Sequence, residues 1–423
     1  MKLAIVGGGS TYTPELVDGF ARLRDTLPLD ELVLIDPDAE RLRLVGDFGK
    51  RILARQGHPA RLTVTADLDA GVEGASAVLL QLRVGGQAAR HTDETIPLDC
   101  GCVGQETTGA GGFAKALRTV PTVLDIAERV ARHAPDAWLV DFTNPVGIVT
   151  RALLDAGHKA VGLCNVARGL QHTIGDWYGV DADRVHLDHI GLNHLTWVRR
   201  AVVEGVDLLP EILDKHGEAL ARRCRLPVDM LRRLGVAPSY YLTYYYGHDE
   251  VLAEQRGAES RAHAVAAIER ELLEMYADPA LDTKPALLEQ RGGAYYSEAA
   301  VNLIAGLLEC RGALQDVPQI VNVRNNGVLP FLPDSAVIEA PAAVNARGAT
   351  ALPAAPLDPL YAGLVAHVSA YEELALQAAL HGGLDRVEQA LLAHPLIGQA
   401  TTARTLAADL VAANRQYLPW ARG

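Results

Sequence analysis

The first 165 residues alternate short apolar strands with amphipathic helices, and this alternation restricts the fold most strongly. After Lys2 the chain is continuously apolar to residue 6, as in a strand that is covered on both faces. Further apolar runs are ELVLIDPD, ASAVLLQL, AWLVDFTNP and KAVGLC, with helical segments between them. Strands that alternate with helices form βαβ units with right-handed crossovers. The sequence therefore predicts an α/β fold with a parallel, Rossmann-type N-terminal sheet.

A change of pattern near residue 185 divides the chain into two predicted domains. Residues 1–185 are predicted to form a NAD-binding Rossmann domain. Residues 186–423 are predicted to form a mostly helical α+β domain for substrate binding, catalysis and oligomerisation, as in the lactate and malate dehydrogenases. Residues 249–276 are expected to form one amphipathic helix. Residues 340–356, rich in alanine, proline and glycine, are expected to form a loop.

The charge and the cysteine content argue against several classes of function. The 423 residues carry a formal net charge of -13, which opposes non-specific binding to nucleic acid or to an anionic membrane surface. The N-terminal apolar run is too short for a signal peptide, and no run of about 18 apolar residues predicts a membrane span. The five cysteines are scattered and odd in number, unlike a disulfide framework. We therefore expect a cytoplasmic protein with reduced thiols.

The first strand runs into a glycine-rich turn that is typical of a dinucleotide site. Gly7 and Gly9 take the first two positions of a G-x-G-x-x-G fingerprint, and Tyr12 stands at the third. Such a turn lets the backbone approach a pyrophosphate. Asp36 closes the second strand, where a carboxylate can accept the ribose hydroxyls of NAD, although Arg41 leaves NADP open. The predicted cofactor-binding residues are Gly7, Gly8, Gly9, Ser10 and Asp36.

Polar side chains follow other strands at the edge where ligands bind in sheets of this kind. They are Arg83, Arg90, Asn144, Cys164 and Asn165. A cysteine taken alone is more often a small buried hydrophobe than a ligand. Further along, LDHIGLNHLTW offers His189 and His194, and a cysteine with a histidine can hold a divalent transition metal. Spacing alone does not decide between the two histidines.

Several long motifs, in the same order, are similar to those of one known family. They are GGGSTYTPEL, RVGGQAARHTDETIPLDCGCVGQETTGAGG, FTNPVGI, GLCNV, IGLNH, YYLTYYYG, LDTKPALLEQRGGAYYSEAAVNLI and VNVRNNG. Through them the chain resembles, over nearly its whole length, the NAD- and Mn²⁺-dependent glycoside hydrolases of family 4, and most of all the 6-phospho-β-glucosidases. This group is an exception among glycosidases, which otherwise use a pair of carboxylates.

The resemblance implies a hydrolysis that proceeds through oxidation and elimination. NAD⁺ takes a hydride from C3 of the sugar, a tyrosine removes the proton at C2, and the aglycone leaves from C1. Water then adds and the hydride returns, so that there is no net redox change. The implied cofactors are NAD and Mn²⁺ or another divalent metal. The implied partners are a small phosphorylated sugar and further copies of the chain, in a homodimer or homotetramer.

The resemblance also assigns roles to individual residues. The implied metal ligands are Cys164 and His194. The implied catalytic residues are Tyr241 as the base, Glu106 as the carboxylate that raises its basicity, and Asn165. The implied substrate-binding residues are Arg90, Asn144, Asn165 and Arg261, the last of which helps to hold the 6-phosphate. Without the resemblance, the tyrosines between positions 240 and 246 would be interpreted as a packing cluster.

Two positions depart from the family pattern, and a third indicates the type of glycosidic linkage. Ala167 stands where the β-specific members usually carry proline, and Arg324 stands where the family motif VNVPNNG would have proline. Asn165 stands where the α-specific members carry an aspartate that acts as general acid, and an amide cannot donate a carboxylic proton. The resemblance therefore implies β-linked substrates.

Three other functions remain open from the sequence. The first is a glycosidase of the same family that acts on an unphosphorylated or an α-linked sugar. The second is an NAD-dependent hydroxy-acid dehydrogenase, which would use a His–Asp pair and would produce NADH. The third is a NAD-binding regulator without turnover.

Overall fold

A computed structural model of the protein describes residues 1–293, 295–314 and 317–422. The N-terminal strands are β1 (Lys2–Val6), β2 (Glu31–Ile35), β3 (Arg61–Thr65), β4 (Ala77–Leu80), β5 (Trp138–Asp141) and β6 (Ala160–Gly162). The helices between and after them are α1 (Thr13–Arg22), α2 (Ala39–Arg55), α3 (Leu68–Val72), α4 (Gly86–Asp99), α5 (Gly109–His133), α6 (Val146–Asp155) and α7 (Val166–Tyr178).

The six N-terminal strands form a parallel sheet in the order β3-β2-β1-β4-β5-β6. This is the strand order of the doubly wound nucleotide-binding folds. Four consecutive residues of β1, of β2 and of β4 are buried, because helices cover both faces of the sheet. The predicted Rossmann-type sheet is therefore confirmed.

The remaining strands are β7 (Val185–Leu192), β8 (Leu195–Val203), β9 (Val206–Asp207), β10 (Ala237–Pro238), β11 (Gln319–Arg324), β12 (Val337–Asn345) and β13 (Gly348–Ala351). The remaining α-helices are α8 (Leu209–Lys215), α9 (Gly217–Cys224), α10 (Val228–Leu234), α11 (Thr243–Tyr246), α12 (His248–Arg256), α13 (Arg261–Ala277), α14 (Leu287–Arg291), α15 (Tyr296–Leu307), α16 (Pro359–His381), α17 (Leu384–Leu392) and α18 (Ala400–Asn414).

The later strands extend the parallel sheet with antiparallel pairs. Strand β11 lies beside β6, and β12, β7, β8 and β10 follow in that order. Strands from both parts of the chain thus belong to one sheet. The division into domains at residue 185 stays a prediction.

Two expectations for the second part of the chain are wrong. The helix expected over residues 249–276 is two helices, α12 and α13, because Gly257 ends the first and Ser260 caps the second through a bond from the backbone N–H of His263. The loop expected over residues 340–356 contains the end of β12 and all of β13, which pair with each other.

Within the described ranges, none of the helices combines the length and the hydropathy that crossing a membrane requires.

Candidate active site

A cavity of about 1160 Å³ lies at the carboxyl edge of the parallel strands. Strands β2, β1, β4, β5 and β6 are consecutive neighbours, and residues that follow each of them line the cavity. The predicted site residues on its wall are Gly7, Gly9, Ser10, Asp36, Arg90, Glu106, Asn144, Asn165, Tyr241 and Arg261. Gly8, Cys164 and His194 lie outside the lining. Most of the predicted site is therefore brought together by the topology.

The glycine turn and Asp36 form one end of the cavity. Gly7 has φ +87°, and a Cβ atom there would lie 2.7 Å from the carbonyl oxygen of Gln81. A Cβ atom on Gly9 would lie 2.9 Å from the Asp36 carboxylate. The Gly9 backbone N–H donates to Oδ2 of Asp36 over 3.0 Å, and the Asp38 N–H donates to Oδ1 over 3.0 Å. The carboxylate is thus held at the strand end, and each oxygen keeps a second lone pair for a ligand hydroxyl.

Two guanidinium groups lie beside this turn, and sequence reasoning missed one of them. Arg41 donates from Nε to the carbonyl oxygen of Gly9 over 3.2 Å. Arg291, the missed residue, donates to Oγ1 of Thr11 over 2.8 Å and to Oγ of Ser10 over 3.2 Å. The only sequence signal for it was its place in the motif LDTKPALLEQRGGAYYSEAAVNLI. Guanidinium donors at a glycine turn suit phosphate oxygens.

Gly8 differs from its neighbours, because it faces the core. A Cβ atom on Gly8 would lie 2.7 Å from Cβ of Leu34 on β2. It therefore allows close packing of the turn on the sheet, and its predicted contact with a cofactor is not supported by its position.

A buried ion cluster surrounds Glu106 on the cavity wall. Arg83 hydrogen-bonds Oε2 of Glu106, and Nζ of Lys115 lies 2.7 Å from the same oxygen. Nη2 of Arg90 lies 3.3 Å from Oε1 of Glu106, and its Nε donates to Glu94 over 2.7 Å. Three basic side chains therefore surround the Glu106 carboxylate, and one of them, Arg90, also pairs with Glu94.

Burial and charge shift the proton affinities within this cluster. Burial alone would raise the pKa of Glu106, but the neighbouring Arg83, Lys115 and Arg90 hold it well below its usual range. Burial, with the charge of Arg83, lowers the pKa of Lys115 to about 7. Lys115 is 2% exposed and was not predicted, although a lone lysine in the apolar helix GGFAKALRTV is a signal for it.

Two asparagine side chains continue the wall after β5 and β6. Oδ1 of Asn144 is buried and accepts no hydrogen bond from any residue that the structure describes. A buried acceptor without a partner costs free energy, so this atom suits a ligand hydroxyl. Asn165 is the residue that immediately precedes α7.

The turn between β7 and β8 presents Asn193 and His194. His194 has φ +64°, a strained conformation for a non-glycine residue, and its ring stacks on that of Tyr241 with 3.6 Å between centroids. Burial lowers the pKa of His194 to about 4, so the imidazole is neutral, as metal binding requires. Burial raises the pKa of Tyr241 well above its usual value, and Tyr240 adds to this shift.

Cys164 lies next to a buried carboxylate that sequence reasoning missed. Burial raises the pKa of the Cys164 thiol to about 12, and the charge of Glu339 adds to the shift. The Asn193 side chain bonds to Cys164, and its Nδ2 donates to Oε2 of Glu339 over 2.6 Å. Nε2 of His189 lies 2.7 Å from Oε1 of Glu339. His189 is therefore engaged inside the sheet, whereas His194 lies in the turn, next to Tyr241.

The donor set around Cys164 fits a divalent metal. A thiolate and a neutral imidazole are ligands for a transition metal, and the negative charge of Glu339 favours a cation. Because burial raises the pKa of the Cys164 thiol, binding of a metal there would have to displace its proton. Within the described part of the chain, no group of three or more His, Cys, Asp and Glu residues converges. Two protein ligands leave the other coordination positions to substrate and water.

Arg261 is the first residue of α13, and both that helix and Arg90 are hydrogen-bonded to Glu94. The backbone N–H of Ala262 donates to Oε2 of Glu94 over 2.8 Å, while Oε1 of the same carboxylate accepts from Arg90. Nη2 of Arg261 donates to the carbonyl oxygen of Gln290 over 2.7 Å. Both arginines line the cavity, and guanidinium groups suit an anionic ligand.

The structure explains one departure from the family pattern and accommodates the other. Nη1 of Arg324 lies 2.8 Å from Oδ1 of Asp155 and donates to the carbonyl oxygen of Ser335 over 3.1 Å. Ala167 is the second residue of α7 and is 3% exposed, so a small helix-forming residue fits there.

The doubly wound sheet and the polar cavity at its carboxyl edge define a Rossmann-type enzyme. The chain matches the family "Family 4 glycosyl hydrolase" over residues 2–180, and its C-terminal domain over residues 189–397. The chain therefore belongs to family 4 of the glycosyl hydrolases. It is 37% identical to a probable 6-phospho-beta-glucosidase of Bacillus subtilis, over 99% of this chain and 97% of that protein.

Solved structures are similar over the same length. One is the 6-phospho-beta glucosidase from Thermotoga maritima with manganese, NAD+ and glucose-6-phosphate, with a TM-score of 0.89 and 32% identity over 99% of both chains. A malate dehydrogenase from Salinibacter ruber matches with a TM-score of 0.53 and 14% identity, covering 92% of this chain and 99% of that one. The second likeness concerns the fold alone, and it confirms the dehydrogenase-like organisation expected from the sequence.

The ion cluster predicts how Glu106→Gln changes stability. The substitution leaves Arg83, Arg90 and the buried Lys115 amine without their shared carboxylate, which we expect to cost about 3–5 kcal/mol and to lower the thermal midpoint at pH 7. Adding Lys115→Met should restore part of the loss, because it removes a buried amine that Glu106→Gln leaves without its acceptor. Calorimetry of wild type, both single variants and the double variant measures the coupling.

Glu271→Gln, at an exposed position in the interior of α13, is the matched control and should leave the midpoint unchanged. A double variant no more stable than Glu106→Gln would show that the unpaired Lys115 amine is not a cause of the loss.

Proposed function

We propose that this enzyme hydrolyses 6-phospho-β-glucosides to glucose 6-phosphate and an aglycone, with NAD and Mn²⁺ or another divalent metal as cofactors. The observation that carries the proposal is the match to the family over both parts of the chain. The position of most predicted site residues on the wall of one cavity supports it further.

The chain provides separate places for the two cofactors. The proposed dinucleotide site consists of Gly7, Gly9, Ser10 and Asp36, and the proposed metal ligands are Cys164 and His194. Bound NAD⁺ supplies a hydride acceptor for C3 of the sugar, and a bound divalent metal supplies positive charge beside the oxygens at C2 and C3.

Tyr241 is the proposed base, which takes the proton from C2. Its ring lines the cavity and stacks on His194, so the phenolic oxygen belongs to the same part of the site as the proposed metal ligands. Glu106 and its cations lie on the same wall, where they set the local field. Asn165 has no acidic proton, so we assign protonation of the leaving group to water, which favours a β-linked substrate.

Arg90 and Arg261 are proposed to bind the 6-phosphate, with Asn144 and Asn165 binding sugar hydroxyls. Guanidinium groups bind phosphate through charge-assisted, paired hydrogen bonds. The buried acceptor on Asn144 supports the hydroxyl assignment.

A cytoplasmic location and a homodimer or homotetramer are also part of the proposal. All five cysteines are free thiols, which agrees with a reducing compartment. A phosphorylated sugar is also found inside cells rather than outside them, because its charge opposes passage through a bilayer.

Two substrates and the omission of each cofactor test the activity directly. We expect p-nitrophenyl β-glucoside 6-phosphate to release nitrophenol only with NAD⁺, Mn²⁺ and reductant present, and without net NADH. Release from the unphosphorylated parent alone would refute the roles of Arg90 and Arg261. NADH that accumulates with a hydroxy acid would instead indicate a dehydrogenase.

Arg261→Ala should weaken binding of the phosphorylated substrate. Losing a charge-assisted bond to phosphate should raise KM about 10- to 100-fold, with a smaller change in kcat. Any residual hydrolysis of the unphosphorylated parent should stay unchanged. Arg256→Ala on α12 is the control, since Arg256 lies outside the cavity lining. Equal losses on both substrates would contradict a phosphate role.

Asp36→Ala should weaken NAD binding and shift cofactor preference. Removing the carboxylate should raise the NAD dissociation constant about tenfold and change NADP binding less, because the 2′-phosphate no longer meets a negative charge. Calorimetric titration with both dinucleotides measures this. Asp47→Asn, on the exposed side of α2, is the control. An unchanged ratio of the two constants would place the ribose elsewhere.

A further inference from the structure

The carboxylate of Glu269 is shared by side chains from three other helices at the dinucleotide end of the cavity. Glu269 lies on α13, which packs against α2 and α4, and it is 7% exposed. Its Oε1 accepts from Nε2 of Gln87 on α4 over 3.1 Å and from Nη2 of Arg291 on α14 over 3.2 Å. Its Oε2 lies 3.6 Å from Nη2 of Arg41 on α2. The roles assigned above do not use this carboxylate.

Arg41 lies beside the carboxylate that is proposed to bind the ribose of NAD. Gly9 connects the two side chains, because its carbonyl oxygen accepts from Nε of Arg41 over 3.2 Å and its N–H donates to Asp36 over 3.0 Å. NADP differs from NAD by a phosphate on the 2′-oxygen of that ribose, and an arginine near the acidic position accommodates this phosphate in NADP-binding sites. Arg41 is therefore in a place from which a guanidinium group can bind a 2′-phosphate.

Contacts within the protein already engage the guanidinium group of Arg41. Its Nε is bonded to the carbonyl oxygen of Gly9, and its Nη2 is paired with Glu269. Gln87 and Arg291 bond the other oxygen of the Glu269 carboxylate and so fix its orientation. A 2′-phosphate that approached Arg41 would therefore compete with Glu269 for the same donors, and it would be repelled by the carboxylate charge.

Two further arginines line the cavity on this side. Arg291 donates to Oγ of Ser10 in the glycine turn, which is the place for the pyrophosphate that NAD and NADP share. Arg270 lines the cavity from α13 at an exposed position. Arg41 is thus the arginine whose hydrogen bonds place it next to Asp36, and we assign discrimination at the 2′-oxygen to Arg41 and its carboxylate partner.

We propose that Glu269 is a specificity-determining residue, which disfavours NADP by engaging Arg41 in an ion pair. The inference rests on the proposed function, from which it takes the dinucleotide site. Asp36 accepts a hydrogen bond from a 2′-hydroxyl, while Glu269 occupies the guanidinium group that would otherwise bind a 2′-phosphate. Without the Glu269 charge, Arg41 gains donors for a phosphate and this end of the cavity becomes more positive. NADP should then bind more tightly, whereas NAD carries no group at the 2′-position that responds to the change.

The test measures the dissociation constants of NAD and NADP by calorimetric titration of the full chain. The variants are Glu269→Gln, which removes the charge at nearly constant volume, Arg41→Ala, and the double variant. Glu271→Gln, exposed on the same helix and outside the cavity lining, is the matched control. For each protein, the NADP constant is divided by the NAD constant, so that effects on the shared pyrophosphate cancel. The thermal midpoint shows whether each variant is folded.

We expect a ratio above one for wild type and for Glu271→Gln, and a ratio about tenfold lower for Glu269→Gln. Tighter binding of NADP should account for most of this decrease. Arg41→Ala should raise the ratio about tenfold in the Glu269→Gln background, and less than about threefold in wild type, where the ion pair already engages the guanidinium group. This difference between the two backgrounds separates the ion pair from a general effect of charge, which would be the same in both.

An unchanged ratio in Glu269→Gln, or equal effects of Arg41→Ala in the two backgrounds, would overturn the inference. If Glu269→Gln does not fold, Arg41→Ala in wild type still decides, because a rise of about tenfold there would show that Arg41 already binds the 2′-phosphate. Wild type that binds NADP as tightly as NAD would also overturn the inference. Wild type that binds neither dinucleotide would instead refute the cofactor site of the proposed function, and that outcome involves no variant.

Discussion

The buried carboxylate of Glu106 fixes the elements that build the cavity wall. Lys115 approaches it from α5, Arg90 from α4, and Arg83 from the segment after β4. Burying any of these groups without a partner would be costly, so pairing with Glu106 favours the positions in which the three elements meet. The same arrangement leaves positive charge in excess at the surface of the cavity. The ion cluster around Glu106 therefore contributes both to the packing of the cavity wall and to the electrostatic potential of the site.

A second buried carboxylate, Glu339, adds negative charge near Cys164 and His194. Glu339 on β12 is bonded by His189 on β7, Asn193 in the turn after β7 and Asn322 on β11. None of these partners is a permanent cation, so the carboxylate charge is shared but not neutralised. It raises the pKa of Cys164, although burial is the larger cause. The site thus combines basic side chains around Glu106, which suit an anion, with the negative charge of Glu339, which suits a cation, and a phosphorylated substrate and a divalent metal require both.

The sequence predicts the parts of this arrangement that depend on local pattern. Apolar runs and the glycine turn were enough to predict the parallel sheet and the edge at which its ligands bind. The loop expected over residues 340–356 was wrong because β13 is formed by pairing with β12, and alanine-rich segments have little strand propensity of their own. Lys115, Arg291 and Glu339 were missed for a related reason. Glu339, for example, acquires its role from His189, 150 residues away in the chain. Motif similarity located the other site residues. The spacing of residues alone did not show which of His189 and His194 is the metal ligand.

The environment of Tyr241 makes its proposed role as a base depend on a positive charge bound nearby. Burial raises the pKa of its phenol well above 10, and the nearby Tyr240 and Cys164 raise it further when they ionise. An isolated tyrosine in this position would therefore keep its proton at neutral pH. Only added positive charge can reverse this, and the donors that suit a cation include His194, whose ring lies 3.6 Å from that of Tyr241. The surroundings that the protein provides oppose the phenolate form of Tyr241. Tyr241 can therefore act as a base at neutral pH only when a cation is bound nearby.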